Sequence, residues 1–177
     1  MGRKALLHIC CAPCLIYPLQ RLRNEGFEVI GLYFNPNIYP LSEYKLRLAT
    51  VRQYAPTQNF MLWEEEYDPG VFFRALDSTA KGKRRCESCW RLRLQHTAVK
   101  AKGQGLEYFS TTLLVSPYQD QDMIRALGNE TAQEAQIGFL GEDYRPGFRA
   151  AEEEAKALGM YRQKYCGCIF SHGECRQ

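Results

Sequence analysis

Three short groups of cysteines are the residues of this chain best suited to chemistry. They contain seven of the eight cysteines, namely Cys10, Cys11 and Cys14 in the first group, Cys86 and Cys89 in the second, and Cys166 and Cys168 in the third. Only Cys175 stands apart. Thiolates are soft ligands for zinc and for iron–sulfur clusters, and a pair of thiols also acts as a two-electron reductant. The pattern therefore indicates a metal site, dithiol chemistry, or both.

The first two groups together offer four thiolate ligands. Cys10 and Cys11 are adjacent, which is awkward for structural zinc because such sites favour ligands two to four residues apart. Cys86 and Cys89 have the C-x-x-C spacing of both zinc and iron–sulfur sites. The histidines fall in a predicted strand, inside a predicted helix and in the tail, so the predicted ligands are thiolates alone. The spacing of these cysteines is compatible both with a zinc site and with an iron–sulfur cluster.

Two further interpretations concern dithiol chemistry. The single residue between Cys166 and Cys168 permits a strained disulfide of the oxidising, catalytic kind, although these thiols also suit a zinc site completed by an earlier pair. Cys11 and Cys14 form C-x-P-C between a strand and a helix, as in thioredoxin, where the helix N-terminus lowers the thiol pKa. A thioredoxin, however, needs neither Cys10 nor the two distant groups.

Composition predicts one globular domain in the cytoplasm. The chain has 177 residues, 45% of them apolar, and a net charge of +3. We predict a single domain over residues 1–177 with a cysteine-rich tail from about residue 161. The N-terminus lacks the apolar region of a signal peptide, and no run approaches the ~18 apolar residues of a membrane helix, so no membrane partner is expected. Clustered cysteines in a reduced compartment are usually metal ligands or redox catalysts.

Strands and helices alternate around the cysteine groups. Residues 4–9 predict a buried strand, 14–24 a helix and 27–34 a second strand, and the alternation continues to residue 158. This order predicts an α/β fold with a Rossmann-like parallel sheet and helices on both faces. Ligands bind beyond the carboxyl ends of such strands. Because Cys10, Asn35 and Ser116 follow predicted strands, we expect the binding site there, beside the first cysteine group.

Other candidate residues carry weaker signals. A long helix is predicted from Cys86, and a basic loop precedes it. The cations of this loop suit a phosphate-bearing partner, although such loops are most often simply solvated; they are Lys81, Lys83, Arg84 and Arg85. Asp68 and Asp120 are typical turn and cap residues, and Tyr118 is a typical packing residue.

Five motifs read together resemble one known family. They are Leu7-His8-Ile9-Cys10-Cys11-Ala12-Pro13-Cys14, Phe34-Asn35-Pro36-Asn37-Ile38, Arg85-Cys86-x-x-Cys89 with Arg91 and Leu92, Thr111-Thr112-Leu113-Leu114-x-Ser116-Pro117-Tyr118, and Tyr165-Cys166-Gly167-Cys168. They resemble, in order, the motifs of the QueH-type epoxyqueuosine reductases. The resemblance implies the last step of queuosine synthesis, in which the epoxide on the wobble base of tRNA is reduced to an alkene without cobalamin. It also implies a fold similar to the adenine nucleotide alpha-hydrolases (HUP folds). ATP use is not expected, because Cys10 to Pro13 replaces their phosphate-binding loop.

The resemblance also implies roles for individual residues. A [4Fe-4S] cluster is expected on Cys10, Cys11, Cys86 and Cys89, and a redox-active pair at Cys166 and Cys168. Cys14 either replaces Cys11 or helps to hold a second metal, a mononuclear iron or zinc, for which Asp68 is a further candidate ligand. Removing the epoxide oxygen consumes two electrons and two protons, so a proton donor is required. The candidate donors are Tyr118, Asp68 and Asp120.

The implied partners are the anticodon loop of tRNA and an unidentified electron donor. Bases of single-stranded RNA are bound by stacking on aromatic rings. The candidate stacking residues are Tyr33, Phe34, Tyr39, Trp90 and Tyr118, with the four basic-loop residues on phosphates. The chain departs from the family pattern in one place, since it has basic residues before Cys86 where acidic residues are expected.

Overall fold

A computed structural model describes residues 2–76 and 81–171 of the chain. Its centre is a sheet of five parallel strands in the order β3-β2-β1-β4-β5. The strands are β1 (Arg3–His8), β2 (Phe27–Tyr33), β3 (Leu62–Glu64), β4 (Tyr108–Thr111) and β5 (Gly138–Phe139). The predicted parallel α/β sheet is therefore confirmed. Cys175 and the rest of the predicted tail beyond Ser171 lie outside the described residues.

Within the described residues, six helices cover the two faces of the sheet. They are α1 (Ala12–Asn24), α2 (Leu41–Thr57), α3 (Pro69–Ala75), α4 (Lys83–Gly103), α5 (Gln121–Ala135) and α6 (Phe148–Ala157), with 3-10 turns at Thr112–Val115 and Arg145–Gly147. Side chains alternate along β1, so that Ala5 and Leu7 pack in one core with α1, α2 and α6. Leu6 points the other way, into a core built with α4 and α5. Helices lie on both faces, as predicted.

The strand register brings the functional segments to one edge of the sheet. His8, the last residue of β1, is paired with Leu32 of β2 and with Thr111 of β4. Because the strands are parallel, the residues that follow them meet at their shared carboxyl edge. Cys10, Asn35 and Thr112 are therefore neighbours at the place where parallel sheets bind ligands.

The prediction that four cations lie in a loop before α4 is wrong for three of them. Helix α4 begins at Lys83, so Lys83, Arg84 and Arg85 form its first turn, and only Lys81 precedes it. Lysine and arginine are good helix formers, and the residue that interrupts the chain is Gly82, whose φ is +54°. Among the described residues, no helix has the length and apolar character needed to cross a bilayer.

Candidate metal centre and adjoining cavity

The turn from β1 into α1 holds a cysteine triad, defined here as Cys10, Cys11 and Cys14. Cys11 is the extended N-cap residue of α1, and Cys14 lies in its first turn. The three sulfur atoms lie within 4.8 Å of one another, and within residues 2–76 and 81–171 no other group of ligand atoms is as compact. Cys10 Sγ and Cys11 Sγ are 3.8 Å apart. Two sulfurs on one tetrahedral ion, with bonds of about 2.3 Å, have a similar separation. The triad therefore fits a thiophilic metal.

The thiols of the triad share negative charge unequally. Hydrogen bonds from Cys11 and Cys14 hold the pKa of the Cys10 thiol well below its ordinary value. Burial raises the pKa of Cys11, while the hydrogen bonds to Cys10 and Cys11 raise that of Cys14. A bound metal replaces these thiol protons, since thiolate is the ligating form.

Thr112, directly after β4, supports Cys10 from the next strand. The Cys10 backbone N–H donates to Thr112 Oγ1 at 3.0 Å, and the Thr112 hydroxyl donates to Cys10 Sγ at 3.2 Å. A hydroxyl that donates to sulfur favours the thiolate. The N-terminus of α1 also favours negative charge at this turn.

His8 holds the loop after β2 against the triad but is not available as a ligand. Its Nε2 donates to the Phe34 carbonyl at 3.0 Å, so Nδ1 is the acceptor from the Thr111 hydroxyl at 3.0 Å. Complete burial lowers the pKa of His8 to about 4. The ring is therefore neutral near pH 7, with both nitrogens occupied.

A cavity of about 520 Å³ opens beside the triad and is lined by Cys10 and Cys14. Two almost fully buried arginines, Arg47 and Arg93, also line it. Arg47 pairs with Glu43 at 2.8 Å, whereas Arg93 has no carboxylate partner within the described part of the chain. The walls thus carry positive charge beside the thiols, which favours negative charge on sulfur.

The third cysteine group is held at the mouth of this cavity. Arg47 donates to the carbonyl oxygens of Tyr165 and Cys166 at 2.9 and 3.1 Å. Cys168 pairs with Ile38 in an antiparallel bridge. Between the two cysteines, Gly167 has φ +105°, and a Cβ there would lie 3.0 Å from the Arg47 guanidinium. Glycine is therefore required for this loop to approach Arg47.

The third cysteine group acts electrostatically on both thiols of the second group. Burial raises the pKa of Cys89 to about 12, and Cys166 and Cys168 add to this rise. Burial followed by the same two thiols raises the pKa of Cys86. The compact group of ligand atoms in the described residues is the cysteine triad. The four-thiolate set on Cys10, Cys11, Cys86 and Cys89 stays a prediction.

The predicted acid and base candidates have visible structural roles. Asp68 is the N-cap of α3, accepts from the Gly70 N–H at 2.8 Å, and pairs with Arg74 at 3.0 Å. Asp120 is the N-cap of α5 and accepts from the Met123 N–H at 3.1 Å. Neither aspartate belongs to the compact ligand group of the described residues.

The aromatic candidates divide into core and surface residues. Tyr33, Phe34 and Trp90 are buried in the core. Tyr118 lies on the rim of the cavity with 86% of its surface exposed, and its ring meets Phe148 edge-on at 6.0 Å. Tyr39 is also exposed. Stacking on RNA is therefore sterically open to Tyr39 and Tyr118, but not to the three buried rings.

Sequence reasoning assigned no role to Arg47, Arg93, Thr112 or Gln163. The Gln163 amide donates to Cys11 Sγ at 3.0 Å, from a chain position 152 residues away. Thr112 had one usable signal, because it is a polar residue at the carboxyl end of a predicted strand. The other three gave none, since their positions depend on packing between distant elements.

Comparison with solved structures supports the fold. The chain is similar to a predicted subunit of a tRNA methyltransferase from Methanocaldococcus jannaschii, with a TM-score of 0.53 and 12% identity over 85% of this chain and 75% of that one. At this identity the likeness concerns the fold alone, and it agrees with the predicted HUP-like sheet.

Comparison of sequences is more specific. The family model for epoxyqueuosine reductase QueH matches residues 5–174. A protein of Dehalococcoides mccartyi named epoxyqueuosine reductase QueH is 35% identical over 98% of this chain and 95% of its own length. One of the same name from Thermotoga maritima is 34% identical over 97% of this chain and 92% of its own length. With the cysteine triad at the carboxyl edge of the sheet, these matches show that the chain belongs to the QueH family of epoxyqueuosine reductases, which are oxidoreductases.

Proposed function

We propose that this protein reduces epoxyqueuosine to queuosine at the wobble position of tRNA, in the cytoplasm. The observation that carries the proposal is a cavity lined by Cys10, Cys14 and Cys166 in a chain of this family. Its volume of about 520 Å³ lies within the range of roughly 300–1,000 Å³ that accommodates one small ligand or one splayed nucleoside.

We infer a metal cofactor held by the cysteine triad. The donor set fits, because one half-buried and two buried thiols share negative charge beside Arg47 and Arg93. The finer proposal is a [4Fe-4S] cluster on Cys10, Cys11, Cys86 and Cys89. Because the triad is compact, we favour Cys14 as a ligand that joins this set or replaces Cys11 in it. Its alternative role is to hold a second iron or a zinc ion. When bound, the cluster would deliver electrons singly and act as a Lewis acid.

The proposed reductant at the substrate is the pair Cys166 and Cys168. Their two thiols give up two protons and two electrons and become a disulfide. Both carbon–oxygen bonds of the epoxide break, an alkene forms, and the oxygen leaves as water, so atoms and electrons balance. An external electron donor then returns the disulfide to two thiols. Arg47 supports this role by holding the Cys166 carbonyl at the cavity mouth.

The proposed contacts with tRNA lie outside the cavity. Lys81, Lys83 and Arg84 are exposed at the start of α4, where cations suit phosphates. Arg85 is a further candidate, and its guanidinium lies 4.2 Å from the Phe170 ring centroid. Tyr118 is the candidate for stacking on a base, and its exposure at the cavity rim supports this role.

Protein purified without oxygen tests the proposal. We expect iron and acid-labile sulfide in the protein, and conversion of epoxyqueuosine to queuosine in tRNA when a chemical reductant is added. Cys10→Ser is expected to lose metal and turnover, whereas Cys166→Ser keeps the metal and loses turnover. Full turnover of Cys166→Ser would overturn the dithiol role. Zinc without sulfide, and no turnover, would instead favour a zinc-stabilised RNA-binding protein.

A further inference from the structure

The side chain of Asn37 is buried in the wall of the cavity. Only 2% of the residue is exposed, and neither Asn37 Nδ2 nor Oδ1 has a partner among the described residues. Asn35 is equally buried, and its Oδ1 has no partner of hydrogen-bond geometry among the described residues, although its side chain also interacts with the buried His8 ring. Both residues line the cavity beside Cys10. A buried amide without partners costs folding free energy, so its retention points to a ligand that supplies them.

The loop after β2 does not need these free atoms to hold its shape. The Ile38 N–H donates to the Asn35 carbonyl at 3.2 Å, and the Tyr39 N–H donates to the Gly167 carbonyl at 2.8 Å. The Tyr67 hydroxyl donates to the Ile38 carbonyl at 2.7 Å. Because the backbone of the loop is already bonded, a packing role for the free amide is not required.

Asn37 lies between two thiol groups. On one side, Asn35 Nδ2 donates to the Ile9 carbonyl at 2.8 Å, directly before the cysteine triad. On the other side, Ile38 pairs with Cys168. Asn37, Cys10 and Cys166 all line the same cavity, so a substrate that reacts at the thiols there also faces Asn37.

We propose that Asn37, assisted by Asn35 Oδ1, binds the hydroxyl groups of the substrate's oxygenated five-membered ring. This rests on the proposed function, because that ring carries the epoxide and two neighbouring hydroxyls. One amide offers two donors and one acceptor oxygen, which match hydroxyls that both donate and accept. A neutral amide also leaves the thiols as the ligands of the metal. With the reacting ring at Asn37, the base extends toward the rim at Tyr118.

The test is the binding of three tRNAs that differ only at the wobble nucleoside. One carries queuosine, which has the hydroxylated ring without the epoxide; one carries the aminomethyl deazaguanine precursor, which lacks the ring; and one carries guanosine. The metal-loaded wild-type protein is expected to bind the queuosine tRNA most tightly. Asn37→Leu is expected to lower that affinity by roughly 3- to 10-fold, the value of one or two hydrogen bonds, and to leave the other two affinities unchanged.

Two controls keep the result interpretable. Asn37→Ala repeats the test if the leucine is not tolerated. Thr131→Val removes a buried hydroxyl without a partner on α5, outside the cavity lining, and is expected to change no affinity. Equal affinity of wild-type protein for the queuosine and precursor tRNAs, or an equal loss for all three tRNAs in Asn37→Leu, would overturn the inference. Wild-type protein that prefers queuosine but fails to reduce epoxyqueuosine would support the inference and overturn the proposed function.

Discussion

Arg47 and Cys166 lie 119 residues apart in the chain, and a hydrogen bond of 3.1 Å joins the Arg47 guanidinium to the Cys166 carbonyl oxygen. The same guanidinium donates to the Tyr165 carbonyl at 2.9 Å and to Glu43 at 2.8 Å. One buried side chain of α2 therefore connects the third cysteine group to the sheet domain.

Replacing Arg47 is expected to destabilise the protein strongly. Arg47→Leu leaves the buried Glu43 carboxylate without its cation, with the Tyr161 hydroxyl as its remaining partner among the described residues, which lowers the free energy of unfolding by about 3–5 kcal/mol. The control is Arg52→Leu on the same helix, where 59% of the side chain is exposed and the ion pair with Glu64 contributes about 0–1 kcal/mol. Chemical denaturation measures both. Equal losses in the two variants would contradict a special role for Arg47.

Gly167→Ala is expected to disturb the third cysteine group. The new Cβ meets the Arg47 guanidinium at 3.0 Å, and a φ of +105° is unfavourable for alanine. Gly105→Ala is the control, because Gly105 has φ +70° and a Cβ added there would have no atom within 4 Å. This substitution therefore adds only backbone strain of about 1–2 kcal/mol. We expect turnover on epoxyqueuosine tRNA to fall in Gly167→Ala alone. Comparable turnover in Gly167→Ala and Gly105→Ala would show that the close approach of Gly167 to Arg47 is not needed for turnover.

Thr112 is expected to govern how firmly metal is held. Thr112→Val keeps the shape of the side chain but loses the hydroxyl that donates to Cys10 Sγ at 3.2 Å. Loss of such a supporting contact typically weakens metal binding about 10–100-fold. Thr112→Ser retains the hydroxyl and serves as the control. The rate of metal release to a chelator distinguishes them, and identical rates would argue against the hydrogen bond.

Tyr118 has two candidate roles that substitution separates. If Tyr118 stacks on a base, Tyr118→Phe keeps the affinity for tRNA and Tyr118→Ala loses about 1–3 kcal/mol of binding free energy. If Tyr118 is the proton donor, Tyr118→Phe instead loses turnover. Its 86% exposure favours stacking. Val99→Ala, another exposed apolar side chain, is the control for surface changes. Unchanged affinity in Tyr118→Ala would exclude the stacking role.

The first turn of α4 is expected to set the salt dependence of tRNA binding. The double variant Lys83→Gln and Arg84→Gln removes two phosphate-directed charges, so the slope of log affinity against log salt is expected to fall by about 1–2 units. Lys4→Gln lies at the amino end of β1, away from the cavity, and is expected to leave the slope unchanged. If the double variant and Lys4→Gln have the same slope, the first turn of α4 does not contact the phosphates of tRNA.

Much of the sheet was predictable because its signals are local. An apolar run followed directly by a helical pattern predicts β1 and α1, and parallel strands then require a site beyond Ile9. The sequence also placed Cys10 in the site for the same reason. The predicted start of α4 at Cys86 is wrong, because the helix begins at Lys83 directly after Gly82, which interrupts the chain.

The contacts that complete the site were not predictable from local patterns. Arg47 and Gln163 are polar residues of ordinary type, and nothing near them in sequence indicates a sulfur or a carbonyl as the partner. Cys14 was predicted to replace Cys11 or to help hold a second metal, and the structure brings its sulfur into one compact group with those of Cys10 and Cys11. Such contacts depend on tertiary packing, which periodicity does not encode.

The tail that carries Cys166 and Cys168 is also the part of the described chain that the ribosome makes last. All five strands precede it, since β5 ends at Phe139, and α6 ends at Ala157. All residues of the sheet and of the cysteine triad are therefore made before the tail residues whose carbonyls Arg47 binds. A chain whose tail has not yet docked lacks the Tyr165 and Cys166 part of the cavity wall.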